Sequence, residues 1–177
     1  MPLTTYTAGE VLTAASLNAN LSFASTNAGP IAIFNETQAS GTAGGTFTSG
    51  SYVKRTLNTT VVNQITGCTL TSSVIALPAG SYFVTAVAPA NKVNEHKIRL
   101  RNTTDSTDIA IGSSEVTDAT NFVQTVSQLH TFFTLTATKN IELQHRCATT
   151  RAADGLGENT SFGDNEIYSQ ITIQKVA

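Results

Sequence analysis

The stretch NFVQTVSQLHTFFTL, residues 121–135, runs through TATKN into NIELQHRCAT, residues 140–149. In the second segment Ile141, Leu143, His145 and Cys147 share one parity, and Glu142, Gln144 and Arg146 the other. Side chains alternate across a strand, so this is a strand with one apolar and one polar face. The first segment has the same period without a polar side. Leu129, Phe133 and Leu135 mark one face, and Phe122, Val126 and Phe132 the other, with Gln128 and His130. Residues 167–173 behave alike, Ile167, Ile171 and Ile173 lying opposite Tyr168, Gln170 and Thr172. A strand apolar on both faces is covered on both. In a domain with one core the second cover is most simply another subunit, so the pattern predicts an oligomer.

Outward from this stretch the strand signals recur at 31–37, 51–59, 68–77, 81–88, 94–102 and 108–113. The turn signals PAG, TTDST and ADGLG fall between segments too closely spaced for intervening helices. Within 94–102, His96, Ile98 and Leu100 lie opposite Lys97, Arg99 and Arg101. Charged residues make up only 12% of the 177, and Thr, which suits a half-buried pleated surface, is abundant. The fold class is therefore all-β: an antiparallel β-sandwich, most naturally a jelly roll, over residues 31–177. No internal repeat and no second core are expected. Residues 7–26 carry the one helical pattern, with Thr13 as N-cap and Ala14, Leu17, Leu21 and Ala24 on one face. That stripe is too slight to be stable without a partner.

Most chemistry is excluded by what is missing. The loop SGTAGGTFTSGSY, residues 40–52, is rich in glycine, but Thr46 stands where a phosphate-binding loop needs Lys, and a strand follows instead of a helix. No nucleophile elbow occurs. His96, His145 and Cys147 could form a zinc site on one strand face, but they share that face with Ile141 and Leu143, so hydrogen-bonded core histidines and an inert thiol are the favoured reading. Cys68 and Cys147 do not make a disulfide framework. The acids Asp105, Asp108, Asp154, Glu158, Asp164 and Glu166 match no calcium loop. No cofactor is expected. A net charge of −2 argues against nucleic acid, and no apolar run is long enough for a membrane span. The N-terminus lacks the pattern of a signal peptide, so the Asn-x-Ser/Thr triplets at Asn20, Asn35, Asn58, Asn102 and Asn159 are read as chance. The main charge cluster is Lys97, Arg99 and Arg101 with Arg146, a solvated face or a contact for a polyanion or glycan.

The runs GTAGGTFTSGSYVKRTLNT, LPAGSYFVTAVAPANKVNEHKIRLRN, IELQHRC, ADGLG and EIYSQITIQK, taken in order, resemble virion proteins of tailed bacteriophages that carry a domain similar to the C1q and tumour-necrosis-factor (TNF) jelly rolls. TAGEVLTAASLNANL resembles a short segment at the start of phage fibre and appendage proteins. The resemblance implies a non-enzymatic homotrimer on the virion surface, made in the host cytoplasm. It implies a threefold axis near Phe122, Val126, His130, Phe132 and Tyr168. Residues 1–30 would be an attachment segment binding other virion proteins through Val11, Leu12, Leu17, Leu21 and Phe23. Capsid decoration or a head fibre is the first expectation; a receptor-binding tail fibre or a carbohydrate-binding module reading host glycans is the alternative.

Overall fold

A computed structural model describes residues 7, 9, 11, 13–18 and 29–176. Two antiparallel sheets face each other across one main core. The five-stranded sheet is built from β1 (Ile31–Gln38), β3 (Thr59–Asn63), β6 (Gly80–Asn91), β10 (Gln124–Leu135) and β12 (Glu166–Lys175), in the order β10-β6-β12-β1-β3. The second sheet runs β4-β5-β11-β7-β8, from β4 (Thr69–Thr71), β5 (Val74–Leu77), β7 (Glu95–Asn102), β8 (Thr107–Ile111) and β11 (Lys139–Cys147). Two short strands complete it: β2 (Val53–Lys54) on β11 and β9 (Glu115–Val116) on β7.

The alternation read from the sequence sets the core. Phe34, Tyr82, Val84, Ala86, Leu129, Ile171 and Ile173 point in from one sheet and meet Ile75, Leu77, Ile98, Leu100, Ile141 and Leu143 from the other. Together they form a close-packed apolar layer between two sheets. A second, smaller cluster of Phe47, Ala90, Val93, Cys147 and Leu156 sits beyond it. It exists because the connections 39–52 and 148–165 fold over one end of the sandwich, where Phe47 and Arg151 exchange backbone hydrogen bonds. Alternation within strands carries no sign of it, since Phe47 and Leu156 come from loops.

Two predicted strands prove to be two elements each. Residues 68–77 form a hairpin, β4–β5, turning at Ser72 and Ser73, both with positive φ (49° and 63°). Two consecutive left-handed residues are what a tight two-residue hairpin needs, though Asn-Gly is its usual signal. Residues 51–59 break after β2, where the chain crosses between sheets and Arg55 is drawn into the interior before β3 begins.

Register gives the sandwich a polarity. β1 enters at Ile31, opposite Gln174, and leaves at Gln38, opposite Glu166. The connections 64–68, 78–79, 103–106 and 136–138 lie at the end where β1 enters, and the longer 39–52, 112–123 and 148–165 at the far end. The chain emerges from residues 29–30 at the first end, where the Lys175 amide donates to the Pro30 carbonyl at 2.9 Å. Among residues 13–18, Thr13 caps a helical stretch that includes 14–18, its Oγ1 accepting from the Ser16 amide at 3.1 Å. Val11 and Leu17 of the expected attachment segment are exposed; Leu12, Leu21 and Phe23 lie outside the described residues, as do Asn20 and Ala24. No helix among the described residues is long and apolar enough to cross a membrane.

Candidate assembly interface and the opposite sheet

The outer face of the five-stranded sheet is set by parity. On β10 the even residues Val126, Gln128, His130 and Phe132 point outward; on β6 these are Phe83, Thr85 and Val87, while Pro89, of the same parity, is buried. Register then builds rows. Phe132 lies opposite Phe83, His130 opposite Thr85, Gln128 opposite Val87 and Val126 opposite Pro89. β12 extends the rows with Gln174, Thr172 and Gln170, and β1 with Ile31, Ile33 and Asn35. No Asp, Glu, Lys or Arg stands in these rows. Phe132 is 61% exposed and Phe83 43%, a direct aromatic pair left in contact with water. A contiguous, uncharged and partly aromatic face is unusual for a lone soluble domain and characteristic of contact surfaces.

Of the other residues expected at an axis, Phe122 is exposed in the connection leading into β10, under the Lys92 ammonium 3.6 Å from its ring centroid. Tyr168 is buried by the chain's own loops. Its hydroxyl donates to the Thr42 carbonyl at 2.7 Å, and Gly157 closes on its ring so tightly that a Cβ there would stand 2.2 Å from it. The edge of β10 is partly tied down: the Ser113 amide donates to the Gln128 carbonyl, and the Gln128 amide to Ser113 Oγ.

Between the sheets, polar groups form two linked sets. Arg55 and Glu36 are fully buried and make an inter-sheet ion pair, Nη2 to Oε2 at 2.7 Å and Nε to Oε2 at 3.0 Å. Ser169 Oγ also donates to Oε2, and the guanidinium donates further to the Leu156 and Pro89 carbonyls. Beside them His96 Nδ1 lies 2.9 Å from His145 Nε2, and His96 Nε2 lies 2.7 Å from Thr125 Oγ1. His145 Nδ1 has no partner among the described residues. An orphaned acceptor costs less than an orphaned N–H, so both rings carry their proton on Nε2: His145 donates to His96, and His96 to Thr125. Burial, with Arg55 nearby, keeps both neutral. The His96 pKa falls to about 4, with Glu115 opposing, and that of His145 well below its usual value.

The histidines are therefore hydrogen-bonded core residues, at 3% and 0% exposure. Cys147 donates its thiol to the Thr149 carbonyl, and burial raises its pKa, like that of Cys68, to about 11; both cysteines are free thiols. Among the described residues no three His, Cys, Asp or Glu side chains gather as metal ligands would. The glycine-rich 40–52 connects β1 to β2, its Gly44 amide donating to Gly157. What sequence reasoning missed is the Arg55–Glu36 pair; its one signal is that Glu36 is the single charge in the strand segment 31–37.

On the outer face of the other sheet the basic stripe divides. Arg99 donates to Gln144 Oε1 at 2.7 and 2.8 Å, pairs with Asp108 at 3.2 Å and lies over the Tyr52 ring. Arg101 pairs with the same Asp108 at 2.8 Å. Lys97 and Arg146 stand opposite each other in the β7–β11 register, and neither has a carboxylate within ion-pair distance among the described residues.

No protein-family model matches the chain, and no curated protein does. Solved structures do. The globular domain of zebrafish complement 1qA protein matches at TM-score 0.55 and 11% identity, over 84% of this chain and 98% of that one. The Eiger TNF of S. frugiperda matches at 0.58 and 15%, over 84% and 94%, and murine APRIL at 0.52 and 7%, over 82% and 98%. At such identities the likeness speaks for the fold alone, and it does so along nearly the whole β-domain: the protein is an antiparallel jelly-roll β-sandwich of the C1q/TNF type.

Proposed function

We propose that this chain is a non-enzymatic structural protein that assembles as a homotrimer through the outer face of its five-stranded sheet. The observation that carries the reading is the Phe132–Phe83 pair at the edge of an uncharged face. In a threefold ring each contact is heterologous, so the face of one copy meets a different surface of the next. Being an edge strand, β10 brings Val126, His130 and Phe132 to the rim where face and neighbour would meet. Burying such aromatics contributes about 1.5–3 kcal/mol each. Tyr168, covered by its own loops, takes no direct part.

The trimer is displayed on the surface of a tailed-phage particle, as a capsid decoration or head fibre, with residues 1–30 as the attachment segment. The sequence resemblance supports this, as does the polarity of the sandwich, which puts the start of β1 and the long connections at opposite ends. Solution mass by light scattering tests the assembly. The full-length protein should run at about 56 kDa, three times its 18.6 kDa chain, and Phe132→Asp should shift it to monomer with its fold intact. A wild-type monomer, or a trimeric Phe132→Asp variant, refutes the interface. Deleting residues 1–28 should leave a trimer that no longer joins particles; if it still joins them, the segment is not the anchor.

A further inference from the structure

We infer that the cleft at the far end of the other sheet binds a saccharide bearing a single carboxylate per sugar. The cleft encloses about 700 Å³ between Ser49–Tyr52, the start of β7, the strand β9 and the end of β11. That volume lies within the roughly 300–1,000 Å³ of small-molecule sites. It sits on the sheet opposite the proposed assembly face, so it stands or falls independently of the trimer.

The charge arrangement selects the ligand. Every other described cation of this sheet's outer face has a carboxylate partner: Lys54 with Glu142, Arg99 and Arg101 with Asp108, Lys139 with Asp105. Lys97 and Arg146, both lining the cleft, have none, and they face each other across an antiparallel pair. Like charges directly opposite each other destabilise a sheet, a cost that an anion bridging them removes. The cleft also holds Glu95 and Glu115, brought there by the β7–β9 pairing. Two carboxylates in the lining repel a densely sulfated or phosphorylated polymer. They suit a polyol, whose hydroxyls donate to them while its one carboxylate meets Lys97 and Arg146. Val116, Ala148 and Tyr52 supply apolar surface for the C–H face of a sugar ring. The matching chemistry is a hexuronate or nonulosonate unit of an acidic polysaccharide.

Calorimetric titration of the full-length protein tests this, with methyl glucuronide, N-acetylneuraminic acid, methyl glucoside and heparin as probes. At least one sugar acid should bind with a Kd on the order of 1 mM, and methyl glucoside about tenfold or more weaker. Lys97→Ala with Arg146→Ala should weaken that acid about tenfold, while Arg101→Ala leaves it unchanged. Equal affinity for glucuronide and glucoside, tightest binding by heparin, or no heat from either acid up to about 20 mM would overturn the inference. So would a Lys97/Arg146 variant that binds as wild type does.

Discussion

Acid should loosen this fold well before its carboxylates titrate, and His96 sets the size of the effect. The ring is buried between the sheets with its Nε2 proton on Thr125 and its Nδ1 lone pair on His145. A second proton would set two N–H groups against each other and place a charge beside Arg55. The sign follows from linkage. An unfolded chain takes up a proton as pH falls below 6.5, and the folded chain refuses it until about 4, so stability is complete above 6.5 and is lost as pH falls between the two. At pH 5 His96 alone removes about 2 kcal/mol, and at pH 7.5 almost nothing. His145, shifted the same way, adds to the loss. The groups around the pair are Arg55, which deepens the shift, Glu115, which opposes it, and the uncharged Phe47 and Thr125. Depressed carboxylates act later. Glu166, held near 2 by the Gly41, Thr160 and Ser161 amides, withdraws its contribution only below about 4.5. Glu158, whose pKa burial raises, acts in the opposite direction. Urea unfolding at pH 7.5, 6 and 5, at fixed protein concentration and ionic strength, reads the effect. The double variant His96→Leu/His145→Leu should flatten the pH dependence whatever its absolute stability. A wild-type protein equally stable at pH 7.5 and 5, or a double variant that falls as steeply, would refute the reasoning.

Three further outcomes follow from the interior. Glu36→Ala strands Arg55 without its counter-ion and should cost about 3–5 kcal/mol in thermal or urea unfolding, whereas Glu36→Met with Arg55→Met should recover most of it; a mild single variant would mean that the pair is not buried as described. Gly157→Ala, at φ 145° and against the Tyr168 ring, should cost about 2 kcal/mol or more, read as a lowered Tm. Neither Cys68 nor Cys147 should react quickly with an aromatic disulfide reagent until the protein is unfolded, because both thiols are buried with pKa near 11; immediate labelling of the native protein would contradict that.

Alternation made the sandwich legible. The parity of 121–135 and 140–149 sorts inward from outward residues at Leu129, Phe133, Leu143 and His145 as the structure has them, because in-register antiparallel strands leave little freedom in which way a side chain points. What parity cannot carry is whatever depends on long-range geometry. Tyr168 has the parity of an outward residue, but the β1–β12 register slips between Asn35 and Thr37, so Ile167, expected inward with Ile171 and Ile173, is exposed and Tyr168 is buried against Gly157 and Thr42. Arg55 looks like one more basic residue until Glu36 and the Leu156 carbonyl are brought to it. The basic stripe looked uniform because its members share a face. It separates into satisfied and unsatisfied charges only once β8 brings Asp108 beside Arg99 and Arg101, while no described carboxylate comes within ion-pair distance of Lys97 or Arg146.

The placement of the remaining charge follows one physical logic. An outer face that is to be covered, as proposed for the five-stranded sheet, disfavours ions, because each would have to be desolvated on assembly at a cost its partners seldom return. On the five-stranded sheet Glu36 turns inward instead, where it meets the guanidinium of Arg55 from the connection between β2 and β3. Such a pair is expected to do more for alignment than for net stability. Slipping β1 by one residue would turn Glu36 outward and strand Arg55, so the pair would penalise a wrong register of β1 as well as hold the right one. The other sheet carries its charges outward, where water supports them, and among the described residues its cations without a carboxylate partner, Lys97 and Arg146, line the cleft. A double-mutant cycle on Glu36 and Arg55, read in both unfolding free energy and solution mass, separates these roles. If the doubly apolar variant is as stable as wild type but assembles into mixed species, the pair acts by specifying register; if it is stable and uniformly trimeric, the apolar layer suffices and the pair is dispensable.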